Sequence, residues 1–264
     1  MDLRLAGRRA YVTGGAEGIG AAIASTLSAE GVRVAVADIN GDALHAHRQE
    51  WTTEADEPIL IEADLSTADG ARAAAERVLD AWGPPDILVN NVGVAVSRAF
   101  VDIDDDAWQA TFDLNFMSYV RTSRHLVPLM AARPGSAVVN IASDLAKQPD
   151  SVPADYGAMK AAILYLTKSL SIDYAPEVRV NAVLPGPVWT GLWSREGGVV
   201  DRLAELYGTD RDAALARYLE DRQLTMGIAE PEDVASMVAY LVSPLAQRIS
   251  GSAFDIGGTL RSLY

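Results

Sequence analysis

Four short runs in the first third of the chain, Arg9–Thr13, Arg33–Asp38, Ile59–Ala63 and Ile87–Asn90, are dominated by Val, Ile, Leu and Ala and are apolar on both faces. Strands read this way when helices pack on either side of a parallel sheet. The stretches between them, Gly18–Glu30, Gly41–Thr53 and Thr67–Trp82, are amphipathic and read as helices. Strand and helix in strict alternation leave few folds open. Parallel neighbours need crossovers, and right-handed crossovers place helices on both faces of the sheet.

The pattern continues to the C-terminus. A long helix is expected over Asp104–Ala132, opened by an acidic run that suits the positive end of a helix dipole. A fifth strand at Ala137–Ala142, a helix from about Asp155 to Tyr174 and a sixth strand at Arg179–Leu184 follow. Helical stretches near Gly198–Asp221 and Pro231–Val242 precede a short last strand at Ala253–Ile256. No low-complexity linker, repeat or shift of composition divides the chain, so a single domain over 1–264 is expected. The longest departure from tight alternation is Pro187–Ile228, placed after a strand, where long insertions form binding lids.

Composition narrows the function classes. With 49% apolar residues over 264, the chain buries a sizeable core without staples. It has no cysteine, which removes disulfides and a thiol nucleophile and agrees with a reducing, cytoplasmic setting. The first residues are charged and lack the apolar stretch of a signal peptide, and no run reaches membrane-spanning length. A formal charge of −14 repels phosphate backbones and anionic lipid heads, so neither nucleic acid nor membrane is an expected partner. His45, His47 and His125 lie in no metal-ligand pattern, and no metal is expected.

The first strand ends in Thr13-Gly14-Gly15-Ala16-Glu17-Gly18-Ile19-Gly20, with Gly14, Gly18 and Gly20 spaced Gly-x-x-x-Gly-x-Gly immediately before a helix. Glycine allows the tight turn and the close approach of a pyrophosphate, and the helix N-terminus offers unpaired N–H groups to it. Asp38 ends the second strand, eighteen residues after Gly20. A carboxylate there accepts hydrogen bonds from ribose hydroxyls and repels a 2′-phosphate, and neither Glu17 nor Ile39 supplies a cation for one. NAD, rather than NADP, is the expected cofactor. Asp64, closing the third strand, suits either an adenine contact or a helix start with Ser66 or Thr67. Asn90-Asn91-Val92-Gly93 closes the fourth strand, where such folds open their ligand crevices, although turn chemistry also explains it.

Ser143 ends the fifth strand, Tyr156 follows thirteen residues later, and Lys160 lies four beyond Tyr156, on the same helix face. Hydride exchange between an alcohol carbon and nicotinamide needs a proton moved at the oxygen. A tyrosine hydroxyl can do this once a neighbouring ammonium and oxidised nicotinamide lower its pKa. Ser143 can orient the substrate oxygen, and Lys160 can also hold the nicotinamide ribose.

Together, Thr13–Gly20, Asp64, Asn90–Gly93, Asn115, Ser143, Tyr156, Lys160 and Pro185–Thr190 resemble the short-chain dehydrogenase/reductase family in its single-domain form, from Arg8 to about Gly258. The resemblance implies a Rossmann-type, doubly wound α/β fold with seven parallel strands in the order 3-2-1-4-5-6-7. It implies a cofactor site of Gly14, Glu17, Gly18, Ile19, Gly20, Asp38, Ile39, Asp64, Leu65, Asn91, Gly93, Tyr156, Lys160, Pro185, Gly186, Val188 and Thr190. It also adds Asn115 to the catalytic set of Ser143, Tyr156 and Lys160, as anchor for a water beyond Lys160. By residue type alone Asn115 is only a mediocre helix former. Val188 would border the nicotinamide carboxamide, and Thr190 the carboxamide or a phosphate. Homodimers or homotetramers, packed through the helices near 104–132 and 155–174, are implied as well. One departure is Val92, where the family usually carries alanine; it puts bulk beside the cleft.

The segment 187–228 is rich in apolar and aromatic residues, among them Trp189, Leu192, Trp193, Tyr207 and Tyr218. These suit an apolar or ring-shaped secondary alcohol or its ketone, although Val199, Leu203 and Leu206 also fit the lid's own core. Arg195, Arg202, Arg211, Arg217 and Arg222 leave an anionic substrate open. Two alternatives stand beside the alcohol reading: reduction of a β-ketoacyl or polyketide-like ketone, and a dinucleotide-binding protein with little turnover.

Overall fold

The computed structural model describes residues 2–53, 57–148, 153–224 and 226–257. Its centre is one parallel sheet of β1 (Arg9–Thr13), β2 (Arg33–Asp38), β3 (Ile59–Glu62), β4 (Ile87–Asn90), β5 (Ser136–Ile141), β6 (Val178–Pro185) and β7 (Ala253–Ile256). The strand order is β3-β2-β1-β4-β5-β6-β7, as expected.

Alternate residues of each strand feed different faces, which is why the strands read as apolar throughout. Ala10, Val12, Val34 and Val36 join one buried cluster with α1 (Gly18–Ala29) and α10 (Pro231–Val242). Tyr11, Ala35, Ala37 and Leu88 join another, under α3 (Ala68–Trp82) and α5 (Ser118–Met130). A third cluster holds Tyr119, Ala142 and Leu184 against Ile163 of α6 (Ala154–Asp173). Full burial of each large apolar side chain stabilises the fold by about 1.5–3 kcal/mol, so both faces of the sheet are specified at once.

Three expected helices differ. The second is short: α2 covers Gly41–Ala46, capped by Asn40, whose Oδ1 accepts from Ala43 N at 3.1 Å. His47 then stacks on the fully buried Trp51 within turns rather than helix. The long helix over 104–132 is built of α4 (Asp105–Phe112) and α5, joined by a π-helical turn at Asp113–Met117. A π turn holds an extra residue, and such bulges re-aim side chains. The stretch near 198–221 is two helices, α8 (Val199–Tyr207) and α9 (Arg211–Asp221), because Gly208 takes φ +64° and ends the first while Asp210 caps the second.

A short α7 (Gly191–Ser194) opens segment 187–228. Both ends of the segment are tied together. Trp189 N donates to Ala229 O at 2.8 Å and Ala229 N to Pro187 O at 3.1 Å. Thr225 lies outside the described residues. Among the described residues, no helix is long and apolar enough to cross a membrane.

Candidate active site

Because every strand is parallel, all carboxyl ends lie on one edge of the sheet. The glycine turn, Asp38, Asp64, Asn91–Gly93, Ser143 and Pro185–Val188 therefore follow one another along it, across the reversal of strand order between β1 and β4. A continuous cleft of about 1870 Å³ runs along this edge, from Asp38 to segment 187–228. All the expected cofactor residues border it, as do Ser143, Tyr156 and Lys160. Asn115 stands just behind its wall.

At the glycine turn, side chains give way to backbone. Gly14 has φ +64°, and a Cβ there would sit 2.8 Å from Val92 Cα. Val92 fits beside the cleft because residue 14 has no side chain. Asn91 braces the same turn: its Nδ2 donates to Gly14 O at 2.7 Å, and its backbone N donates to Thr13 Oγ1 at 3.0 Å. A Cβ at Gly20 would strike both Gly14 O and Asn91 Nδ2. Helices α2, α3, α4 and α9 are capped by Asn40, Thr67, Asp104 and Asp210, whereas α1, like α5, α6, α7 and α8, has no side-chain cap. Its first amides, facing a groove kept open by glycines, suit the phosphates of a dinucleotide.

Gly20→Ala is accordingly expected to destabilise the fold by about 1–3 kcal/mol, an overpacking cost, and to weaken dinucleotide binding. Gly191→Ala, which meets nothing within 4 Å, serves as the stability control. Urea unfolding midpoints check the pair, and equal stability of the two variants would contradict the packing argument.

Asp38 uses both carboxylate oxygens on backbone: Oδ2 accepts from Ala16 N and Oδ1 from Asn40 N, each at 3.0 Å. This fixes the carboxylate at the cleft, with lone pairs left for ribose hydroxyls. Asp64 forms the helix start that its spacing allowed. Its Oδ1 accepts from Ser66 N at 2.9 Å and Ser66 Oγ at 2.6 Å, while Thr67 caps α3. Asn90 turns away from the cleft and, fully buried, donates to Asn140 Oδ1 at 2.8 Å.

At the other end, the π turn carries Asn115 into the interior. Its amide pairs with the backbone of Val94, accepting from N at 3.0 Å and donating to O at 3.2 Å. A Cβ at Gly93 would lie 3.0 Å from Asn115 Oδ1 and 3.2 Å from Lys160 Nζ, so a side chain there would press on both groups. Lys160 is buried; its Nζ donates to Ile141 O at 2.8 Å and Tyr119 Oη at 3.1 Å. Burial pushes its pKa down to about 7. Tyr119 Oη also donates to Ile141 O at 2.8 Å.

Lys160 Nζ lies 5.4 Å from the Tyr156 ring centre. The expected pull of this ammonium on the phenol is not what governs Tyr156. Burial raises the phenol above its ordinary value, the Asp144 carboxylate raises it further, and a hydrogen bond with Ser143 opposes both. Ile141 and Tyr119 take two of the three donors of the Lys160 ammonium, which leaves one for the cleft that Lys160 borders.

Sequence reasoning passed over Tyr119, Asp144 and the particular role of Arg222. Asp144 adjoins Ser143 in sequence and could have been found from that alone. The others reach the site only through the fold. The reading of Val199, Leu203 and Leu206 as the inner core of segment 187–228 also changes. Trp193, Val200, Ala214 and Leu224 are buried there, whereas Leu206 is 75% exposed and all three border the cleft.

Comparison with known proteins agrees with this architecture. The family model described as "Enoyl-(Acyl carrier protein) reductase" matches residues 14–258. The uncharacterized oxidoreductase YvrD of Bacillus subtilis is 36% identical, with both chains covered in full. The 2,3-dihydroxy-2,3-dihydro-p-cumate dehydrogenase of Pseudomonas putida is 33% identical over 97% of this chain and 95% of its own. Among solved structures, L-sorbose reductase from Gluconobacter frateurii, complexed with NADPH and L-sorbose, superposes with a TM-score of 0.92 at 31% identity, covering both chains completely. The glycine-lined cleft, the strand order and these relatives lead to one conclusion: the chain belongs to the short-chain dehydrogenase/reductase family of oxidoreductases.

Proposed function

We propose that the protein is an NAD-dependent dehydrogenase or ketone reductase acting on a ring-sized secondary alcohol or its ketone, with Tyr156 as general acid and base. The observation that carries this reading is that Ser143, just after β5, and Tyr156 and Lys160, from α6, border the same cleft as the uncapped start of α1. When bound, the nicotinamide supplies the hydride acceptor and, oxidised, a positive charge. The protein's residues do the rest. Ser143 holds the substrate oxygen, Tyr156 takes its proton as the hydride leaves carbon, and the reverse steps serve reduction. Asn115 keeps Gly93 and Val94 closed against Lys160, and Lys160 positions the nicotinamide ribose. Segment 187–228 acts as the lid, its Val199 and Leu203 facing the substrate end.

The preference for NAD rests on Asp38. Its carboxylate is held in place by Ala16 and Asn40, and the following residues, Ile39 and Asn40, carry no cation. A 2′-phosphate would meet like charge. The L-sorbose reductase complex contains NADPH, so both dinucleotides belong in the test. Asp38→Ala combined with Ile39→Arg is expected to lower the NAD/NADP ratio of kcat/KM at least tenfold, about 1.4 kcal/mol. Titration of each reduced dinucleotide by dihydronicotinamide fluorescence checks the same ratio for binding. An unchanged ratio would make Asp38 a turn residue only.

The activity itself is tested by following NAD reduction by absorbance across aliphatic and cyclic secondary alcohols, cyclic diols and sugar alcohols. The hydroxylated compounds belong in the panel because the relatives named above act on a dihydrodiol and on L-sorbose. No turnover on any member, with NAD bound, would overturn the proposal.

A further inference from the structure

Segment 187–228 reaches the reacting end of the cleft through an ion pair that the proposed chemistry does not use. Arg222, which closes α9, donates through Nη2 to Asp144 Oδ2 at 3.1 Å. Gln148 Nε2 donates to the same oxygen at 3.2 Å. The other oxygen of Asp144 accepts from Ser143 Oγ at 3.1 Å, and Ser143 Oγ accepts in turn from Leu145 N at 3.2 Å. A chain of donors thus runs from the lid, through one carboxylate, to the serine hydroxyl.

The pair is not an ordinary surface contact. Side-chain exposure is 20% at Arg222 and 5% at Asp144. Exposed pairs contribute little, but losing one member of a buried pair leaves an uncompensated charge. The arginine is also held on its own side: its guanidinium lies 5.8 Å over the Tyr218 ring, which meets Trp193 edge-on at 5.3 Å. Helices α7 and α9 are thereby connected to the residue that follows Ser143.

We propose that Asp144 and Arg222 form a tie through which the lid positions the Ser143 hydroxyl and offsets the negative charge that Asp144 places beside Tyr156. Both are positioning residues, and the proposal rests on the reading of Ser143 and Tyr156 as the proton-transfer groups. The sign follows from charge. The Asp144 carboxylate opposes formation of the phenolate at Tyr156, and Arg222 neutralises that carboxylate when the lid is in place.

Other charges around Tyr156 are committed elsewhere. Lys160, on the same helix, donates to Ile141 O and to Tyr119 Oη from α5. Asp155 accepts from Thr111 of α4 at 2.7 Å, and Asp113 pairs with Arg121 at 2.6 Å. Beyond β5, Lys147 pairs with Asp255 at 3.0 Å, and within the lid Arg211 pairs with Asp201.

The test compares the full-length chain with D144N, R222Q, R222K and D144N/R222Q. The pH profile of kcat for oxidation is measured with NAD and the best alcohol of the panel. R222Q is expected to lower kcat about tenfold, the scale of a lost charge-assisted hydrogen bond, with less change in KM. It should move the acid limb to higher pH, because the carboxylate then acts uncompensated. D144N should move the limb to lower pH, and R222Q should have no further effect in the D144N background. R222K should restore most of the limb's position. Limbs that move the same way in D144N and R222Q, or an R222Q effect that persists in the double variant, would overturn the tie.

Hydrogen exchange of residues 211–222 gives a readout that needs no turnover. Faster exchange in each single variant, without addition in the double, supports the tie; unchanged or additive exchange refutes it. If the wild-type chain turns over no alcohol, the functional reading fails and exchange alone decides the lid contact.

Discussion

Tyr156→Phe is expected to lower kcat and kcat/KM for alcohol oxidation by about 10²–10⁴-fold, the contribution of a positioned general base, with dinucleotide affinity unchanged. The phenol stands where burial and Asp144 both disfavour its ionised form, and a hydrogen bond with Ser143 is the local influence in its favour. The carboxylate of Asp144 also lies beside Ser143, but it already accepts from Arg222 and Gln148 as well as from Ser143. The phenylalanine keeps the ring that borders the cleft and removes only the oxygen, so binding and folding serve as internal controls. Stopped-flow hydride transfer and fluorescence titration of NAD check the two halves. Activity within a few-fold of wild type would remove Tyr156 from the chemistry.

Lys160→Met is expected to have opposite effects on activity and stability. Turnover should fall about 10²-fold or more, the range for loss of a group that supports acid–base catalysis. Stability should rise. Lys160 is buried and its pKa falls from the ordinary 10.5 to about 7. The folded value lies below the unfolded one, so the unfolded chain holds more protons between them, and stability increases as pH climbs through that window. Below pH 7 the full cost of burying the ammonium is present. The variant's advantage is therefore largest at pH 6, on the order of 2 kcal/mol by analogy with buried ions replaced by apolar residues, and shrinks towards pH 10. Methionine orphans no partner, because Tyr119 Oη continues to donate to Ile141 O. Urea unfolding at pH 6 and pH 9 checks the sign; a variant less stable than wild type at pH 6 would show that Lys160 is stabilising.

Such a gain in stability from removing a functional group is what a site built against the fold's interest would give. The carbonyl of Ile141 and the hydroxyl of Tyr119 satisfy two of the lysine's donors, but they do not offset the desolvation of its charge. The chain accepts that cost at Lys160. Asp144 differs, because Arg222, Gln148 and Ser143 all donate to its buried carboxylate.

The strands of the sheet were legible in the residues because each sits in a local pattern: β1, β2, β4 and β7 occupy the spans that apolar runs predict. The glycine turn was legible for a related reason, since its chemistry needs backbone and the residues that expose backbone are few. Helix boundaries were less so. A π turn at Asp113–Met117 adds no residue type that distinguishes it from α-helix, whereas the split of the stretch 198–221 follows from Gly208 and the Asp210 cap, local signals that a helical period alone passes over. Leu206 has the spacing of a core residue, yet it is exposed. Helical period identifies a face but does not say what that face meets.

By itself the sequence determined the order of strands and helices, the glycine turn after β1, the acid at the end of β2, and the spacing of Ser143, Tyr156 and Lys160. All of these follow from contacts within a few residues or from side-chain chemistry that few residues share. Tertiary structure alone decided that Lys160 points at Tyr119 and Ile141, that Asn115 closes on Val94, and that Arg222 meets Asp144 from 78 residues away. Those contacts exist because the parallel sheet brings distant strand ends to one edge, and no local pattern encodes the meeting of side chains that only the packed chain holds together.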